Sequence, residues 1–311
     1  MMPTLDSAKR RARHALVESM RACVANDRIP LLVKVAFVIS CGWLLKALGD
    51  EPDEPPVESE YGTKFVAGRD STVMTPWLRF RGAFEPVLSE FILRHVQQGD
   101  FCVDAGANIG YFTVLLAERV APSGKVLAIE AAPGIARRLR ANVELNGAAN
   151  VVDVVEAACA PHKGETTFYL HPRRDGMSRL RPPAKGIHRR VMGTWKSVTV
   201  TADTLTSIVG ADAQRVSFIK VDIEGAEKAI APQIVAGFPH PRLVVALEVW
   251  APIEATLKPF QEEGFYVYDL HNDYHWIFER KVRAITEVTY RDLYRRRVAD
   301  VLLSRQPLAL S

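Results

Sequence analysis

Phe101-Cys-Val-Asp-Ala-Gly-Ala-Asn-Ile-Gly-Tyr-Phe-Thr113 decides the fold. An apolar run ends on Asp104, a turn holding Gly106 and Gly110 follows, and helical periodicity begins near Ile109. Strand, glycine turn and helix in that order form the first unit of an open α/β sheet, whose ligands sit beyond the carboxyl ends of the strands. Outward from it the alternation continues. Strands are predicted at 125–130, 151–158, 216–222 and 243–249, with helices over 110–120 and 133–145 and from 226. Runs at 265–270 and 276–278 are expected to close the sheet as a pair. This pattern predicts a doubly wound, Rossmann-like α/β fold, its mostly parallel sheet covered by helices on both faces.

The spacing within the turn discriminates between ligands. A dinucleotide fingerprint, G-x-G-x-x-G, clears space for a pyrophosphate at a helix N-terminus. Here Asn108 stands in the middle of Gly106-Ala-Asn-Ile-Gly110, and Asp104 precedes it. An acid there repels a pyrophosphate and favours a cationic sulfonium with its amino group. Glu130 ends the next strand about 20 residues on, where an acid takes the hydroxyls of an adenosine ribose. Asp104, Gly106, Asn108, Gly110 and Glu130 therefore point to S-adenosyl-L-methionine, with Ala131 and Ala132 flanking the adenine.

A second stretch, Ile219-Lys-Val-Asp-Ile-Glu-Gly-Ala-Glu227, closes another strand. Period-2 alternation sends Lys220, Asp222 and Glu224 to one side and Val221 and Ile223 to the other. Asp222 is placed to accept the acceptor's proton or to position the methionine amino group, and Lys220 to hold a developing alkoxide. An ion pair that merely closes the strand end is the plainer alternative. Glu85, before the first strand, and Glu248 and Trp250, ending the fifth, are candidate cleft residues. His271 and His275 are candidate bases at the same edge. No spacing compels a metal site.

Asp104-Ala-Gly-Ala-Asn-Ile-Gly-Tyr-Phe-Thr113 and Ile219–Glu227 together closely resemble the FkbM family of class I S-adenosylmethionine-dependent methyltransferases. Gly82-Ala-Phe-Glu85, Asn146-Gly147 and Glu248 add to the likeness, which runs from about Tyr61 to Phe278. The resemblance implies a seven-stranded sheet with an antiparallel last strand, and methylation of hydroxyls on macrolides, sugars or glycans. It does not extend to the arginine-rich stretch 171–196, so the acceptor stays open.

The rest of the chain sets bounds. The 311 residues are 48% hydrophobic and 24% charged with net charge +4, ordinary for a globular chain and too little by itself to imply nucleic-acid binding. Four dispersed cysteines form no metal-ligand pattern and read as reduced and cytoplasmic. The expected organisation is an N-terminal helical extension with an acidic, proline-rich linker (1–60), a methyltransferase domain (61–280) and a solvated basic tail (281–311). Within the domain, 171–196 carries Arg173, Arg174 and Arg179 in a basic insert; if it covers the cleft, the small-molecule or glycan acceptor is anionic. The apolar run within 31–48 is too short to span a bilayer and packs either on the domain or on an anionic membrane surface. A degenerate scaffold fold and a nucleotide-dependent oxidoreductase are the competing readings.

Overall fold

The computed structural model describes residues 5–26, 28–48, 56–66, 74–171, 178–180, 195–223, 225–272 and 283–310. Two helices, α1 (Leu5–Ala25) and α2 (Leu31–Ala47), precede a short hairpin of β1 (Val57–Glu58) and β2 (Lys64–Phe65). Helices α3 (Met74–Arg81) and α4 (Pro86–His95) lead into β3 (Phe101–Ala105), α5 (Tyr111–Val120), β4 (Lys125–Ile129), α6 (Pro133–Leu145) and β5 (Val152–Val155). A side sheet follows, of β6 (Ala158–Cys159), β7 (Gly164–Leu170) and β8 (Lys196–Asp203). The chain returns through α7 (Leu205–Val209) to β9 (Val216–Val221), α8 (Glu227–Gly237), β10 (Val244–Trp250) and α9 (Ile253–Glu262). It finishes with β11 (Tyr266–Asp269), β12 (Thr286–Glu287), α10 (Tyr290–Tyr294) and β13 (Val298–Ser304).

The main sheet runs β12-β11-β13-β10-β9-β3-β4-β5. Strands β5, β4, β3, β9 and β10 are mutually parallel, and β13 enters antiparallel between β10 and β11. Seven of these strands give the expected mostly parallel sheet; the eighth, β12, is a two-residue edge strand. All six residues of Val216-Ser-Phe-Ile-Lys-Val221 are buried because helices cover both faces of a central parallel strand. Alternation divides the core: Cys102, Phe218 and Ala246 face one apolar cluster, and Val103, Ile219 and Val245 the other. The direction of winding reverses between β3 and β9, and a crevice opens at their carboxyl ends.

The closing strand departs from expectation. The basic tail was expected to be solvated, yet it contains β13, which pairs along seven residues with β10 and is the antiparallel strand itself. Val301, Leu302 and Leu303 are fully buried. The arginine run hid this strand because Arg295–Arg297 lies just before it, and one member is structural: the Arg296 guanidinium pairs with the buried carboxylate of Asp269. The expected partner strand at 276–278 lies outside the described residues.

At the other end, residues 61–81 contain helix α3 besides β2. The linker stops short of Val57, which is buried with Phe65 in the main core. Asn146 pins the hairpin by accepting from the Lys64 N–H (2.8 Å) and donating to the Lys64 carbonyl (2.7 Å).

Candidate functional site

Gly106 and Asp222 define the crevice floor. Gly106 has φ +82°, and a Cβ built on it would lie 1.8 Å from the Asp222 carbonyl oxygen. Only glycine permits this approach of β3 to the end of β9. The N–H groups of Gly106 and Ala107 both donate to the Ile129 carbonyl, at 2.9 and 3.0 Å, which draws the turn over β4. Asn108 is also left-handed, at φ +51°, where asparagine is tolerated better than most residues. Asn142 steadies the far side of the turn by donating to the Ile109 carbonyl at 2.7 Å.

Glu130 closes this turn from the side. Its Oε2 accepts from the Asn108 N–H at 2.9 Å and its Oε1 from the Ala132 N–H at 2.8 Å. Burial pushes the Glu130 carboxyl up to about 7, against the two N–H donors that pull it down. Around it lies a cleft of about 550 Å³, open to solvent, lined by Gly106, Asn108, Glu130, Ala131, Ala158 and Asp222 among others. Its apolar wall comes from Ile129, Phe168 and Leu180, the last two supplied by the side sheet and the basic insert. Sequence reasoning missed Phe168 and Leu180 because no local spacing relates them to the glycine turn.

Strand register creates the second feature. Asp104 on β3 stands opposite Lys220 on β9, and Ala246 on β10 stands on the other side of Lys220. Lys220 is buried, with Nζ 3.3 Å from Asp222 Oδ2 and 3.9 Å from Asp104 Oδ1. Its ammonium also lies 5.1 Å from the centre of the Phe112 ring. Burial disfavours the charge, but Asp222, Asp104 and Glu85 outweigh it and hold the lysine above its usual range. Asp104 is fully buried and accepts from Thr113 Oγ1 at 2.7 Å; desolvation still raises its carboxyl.

A smaller cavity opens on the far side of Asp222. Glu85, Lys220, Asp222, Glu248 and Asp300 supply its polar walls, and Leu88 and Leu270 are among its apolar ones. Glu85 sits at φ +42° as the N-cap of α4. Tyr111 Oη fixes that bend by accepting from the Phe84 N–H at 3.1 Å. Asp300, opposite Glu248 in the β10–β13 pairing, was not anticipated because its strand was read as tail. Burial raises both Glu85 and Asp300, helped by repulsion from Asp300 and Asp222 at the first and from Asp222 and Asp269 at the second. Glu227, also unanticipated, accepts from the N–H groups of Ile223 (3.3 Å) and Gly225 (3.0 Å), shaping the loop after β9.

Other candidates fall elsewhere. His271 is occupied structurally: Nδ1 lies 3.2 Å from Asp269 Oδ2 and Nε2 lies 2.7 Å from Thr286 Oγ1, and it lines neither cavity. Trp250 is 56% exposed and lines neither cavity, since its position on β10 lies beyond the crevice. Arg179 bridges Tyr169 through the backbone and stacks on Trp195 at 4.9 Å, while its neighbours Ser178 and Leu180 face the cleft. Arg173, Arg174, Glu224 and His275 lie outside the described residues. Among the described residues, no group of three or more His, Cys, Asp or Glu is arranged to hold a metal ion.

Residues 104–236, which carry both motifs, match the methyltransferase FkbM domain. That match spans less than half of the 311 residues. Similar proteins include methyltransferase sdnD of Sordaria araneosa, 28% identical over 203 residues, 56% of this chain and 76% of that protein. Methyltransferase 1 of Beauveria bassiana is 31% identical over 141 residues, 41% of this chain and 55% of that one. Similar solved structures include TYW2 of M. jannaschii in complex with AdoMet (TM-score 0.43, 17% identity, covering 82% of this chain and 87% of that one). A SAM-dependent O-methyltransferase of Thermotoga maritima has TM-score 0.41 and 15% identity over 87% of this chain and 83% of that one.

Proposed function

We propose that this protein is an FkbM-type methyltransferase that uses S-adenosyl-L-methionine to methylate a hydroxyl of a sugar, glycan or polyketide-type small molecule. The observation that carries the reading is Asp222, which lines both cavities: the cleft around Glu130 on one side and the polar cavity of Glu85 and Asp300 on the other. Cofactor and acceptor would meet there.

The residues of the larger cleft fit the cofactor. Each Glu130 oxygen accepts one backbone N–H and keeps lone-pair capacity for a ribose hydroxyl. Ala131, Ala158 and Phe168 offer the apolar slot that an adenine ring needs. Asp104, Gly106, Asn108 and Gly110 shape the turn that would face the methionine portion. When bound, S-adenosyl-L-methionine supplies an electrophilic methyl group for in-line displacement. The chain's own part is to align the acceptor oxygen, exclude water and receive the hydroxyl proton. Asp222 is the proposed proton acceptor. Lys220, charged and buried against it, would stabilise negative charge growing on the acceptor oxygen.

The walls of the acceptor cavity bear on substrate choice. Four carboxylates and one lysine line it, which favours a neutral polyhydroxyl acceptor over the anionic one that the basic insert suggested. Reversing the charge of Arg173, Arg174 and Arg179 tests this: an unchanged KM across neutral and carboxylated glycosides is expected, and a rise confined to carboxylated ones would restore the anionic reading.

Thermal shift with S-adenosylhomocysteine, with NAD as control, tests the cofactor. Saturation at about 100 times Kd should add about 2.7 kcal/mol, and Glu130→Ala should abolish the shift. No shift from a folded chain would overturn the assignment.

Two further results are expected. Label transfer from methyl-labelled cofactor to a panel of glycosides and macrolides should fall by about 10²–10³-fold in Asp222→Asn. Homocysteine-product binding should persist in that variant, and a variant keeping a tenth of the turnover would remove Asp222 from the chemistry. The other result concerns pH. Because burial raises Glu130 to about 7, the unfolded chain loses its proton first as pH climbs. That contribution to stability is complete below the unfolded value and gone once pH passes the folded one. A ribose diol needs the ionised carboxylate, so affinity should run the opposite way. Calorimetry should find S-adenosylhomocysteine binding up to about tenfold tighter per pH unit between pH 5.5 and 7, then level. A slope that survives Glu130→Gln would assign the proton elsewhere.

A further inference from the structure

The N-terminal hairpin presents a second surface, remote in sequence from the site. Helices α1 and α2 pack through Met20, Val24, Val38 and Cys41 onto Phe80 of α3. Two cross-links fix the pair: Arg13 donates to the Leu45 carbonyl at 3.2 Å, and the buried Lys34 ammonium donates to the Val24 carbonyl at 2.9 Å. This consumes one face of α2. At 100° per residue, Lys34, Val38, Cys41 and Leu45 fall on that face; Phe37, Leu44 and Val33 lie together on its flank, about 70–110° around the helix, and Leu32 lies nearly opposite. Those four are exposed by 82, 54, 38 and 54%, nearly half of the large exposed hydrophobics among the described residues.

We infer that this outer face of α2 docks on an anionic lipid bilayer, with the helix lying in the interface plane. Two arguments select the occupant. Residues 1–48 hold eight Lys and Arg against three acids, a positive charge that complements anionic headgroups and disfavours a second copy of the same hairpin. The four side chains expose an apolar area on the order of 400 Å², about half of what each partner gives to a standard protein interface. An interfacial helix needs only such a strip plus neighbouring positive charge, seated at headgroup depth. Docking differs from spanning: no described helix is long and apolar enough to cross a membrane. A peripheral seat would hold the methyltransferase at a bilayer without burying its backbone in it.

Co-sedimentation of the full chain with vesicles tests this. Binding is expected to phosphatidylcholine:phosphatidylglycerol (70:30) at 0.1 M salt, with at least a tenfold loss on pure phosphatidylcholine or at 0.5 M salt. Phe37→Glu with Leu44→Glu should abolish binding and leave the melting temperature within about 2 °C, since both side chains point outward. Lys9→Glu with Arg11→Glu should weaken binding to the anionic vesicles at least fivefold. The proposal is overturned if neither vesicle binds, if the Phe37/Leu44 variant binds as the native chain does, or if light scattering finds a dimer that this variant dissociates.

Discussion

Gly106→Ala is expected to destabilise the chain by about 4 kcal/mol and to abolish S-adenosylhomocysteine binding. Two costs add. The backbone holds φ +82°, which an L side chain adopts only with strain, and the new methyl would meet the Asp222 carbonyl oxygen at 1.8 Å and its carbon at 2.7 Å. Both obstacles are main chain, so no rotamer relieves them. Either β3 and β9 separate at their carboxyl ends or the turn lifts away from Ile129, and both disrupt the cleft. Gly264→Ala is the control: its φ is +74°, but no atom lies within 4 Å of the added carbon. Only conformational strain applies there, roughly 1–2 kcal/mol. Urea denaturation of the two variants separates the terms, and equal losses would show that the close approach is not what Gly106 protects.

Lys220→Met should be nearly as damaging, for an electrostatic reason. Removing the ammonium leaves Asp104, fully buried, and Asp222 without their shared counter-charge. Breaking a buried pair on one side costs about 3–5 kcal/mol, whereas removing both sides costs far less. The double variant Lys220→Met, Asp104→Asn should therefore recover a large part of the stability lost by Lys220→Met alone. Label transfer should stay absent in both, because the proposed charge beside Asp222 is missing in each. Additive losses would mean that Lys220 and Asp104 do not act as a pair.

The two variants probe one construction from its two sides. Glycine lets the strands converge, and the ion pair fills the space behind that convergence. The smaller cavity depends on the same neighbourhood, since Lys220 lines it together with Glu85 and Asp300. Raised carboxyls at Glu85 and Asp300 follow from burial and from neighbouring carboxylates, so this wall carries less negative charge near neutrality than its composition suggests.

The sequence by itself determined the class of fold and the centre of the site. Strand–turn–helix order, the glycines at 106 and 110, and the acids at 104, 130 and 222 are local signals, carried by residues a few positions apart or by one sheet period. Lys220 and Asp222 were legible for the same reason, since two residues apart at a strand end share a side. Only the tertiary structure decided what pairs across strands. Asp104 meets Lys220 because β3 and β9 are neighbours in register, although 116 positions separate them in the chain. Asp300 reaches the smaller cavity because β13 slips between β10 and β11, which an arginine-rich approach concealed. His271 and Trp250 looked suitable by position along the chain, but hydrogen bonds to Asp269 and Thr286 claim the first and solvent the second. Periodicity reports which way a side chain points; only the assembled sheet determines what stands in front of it.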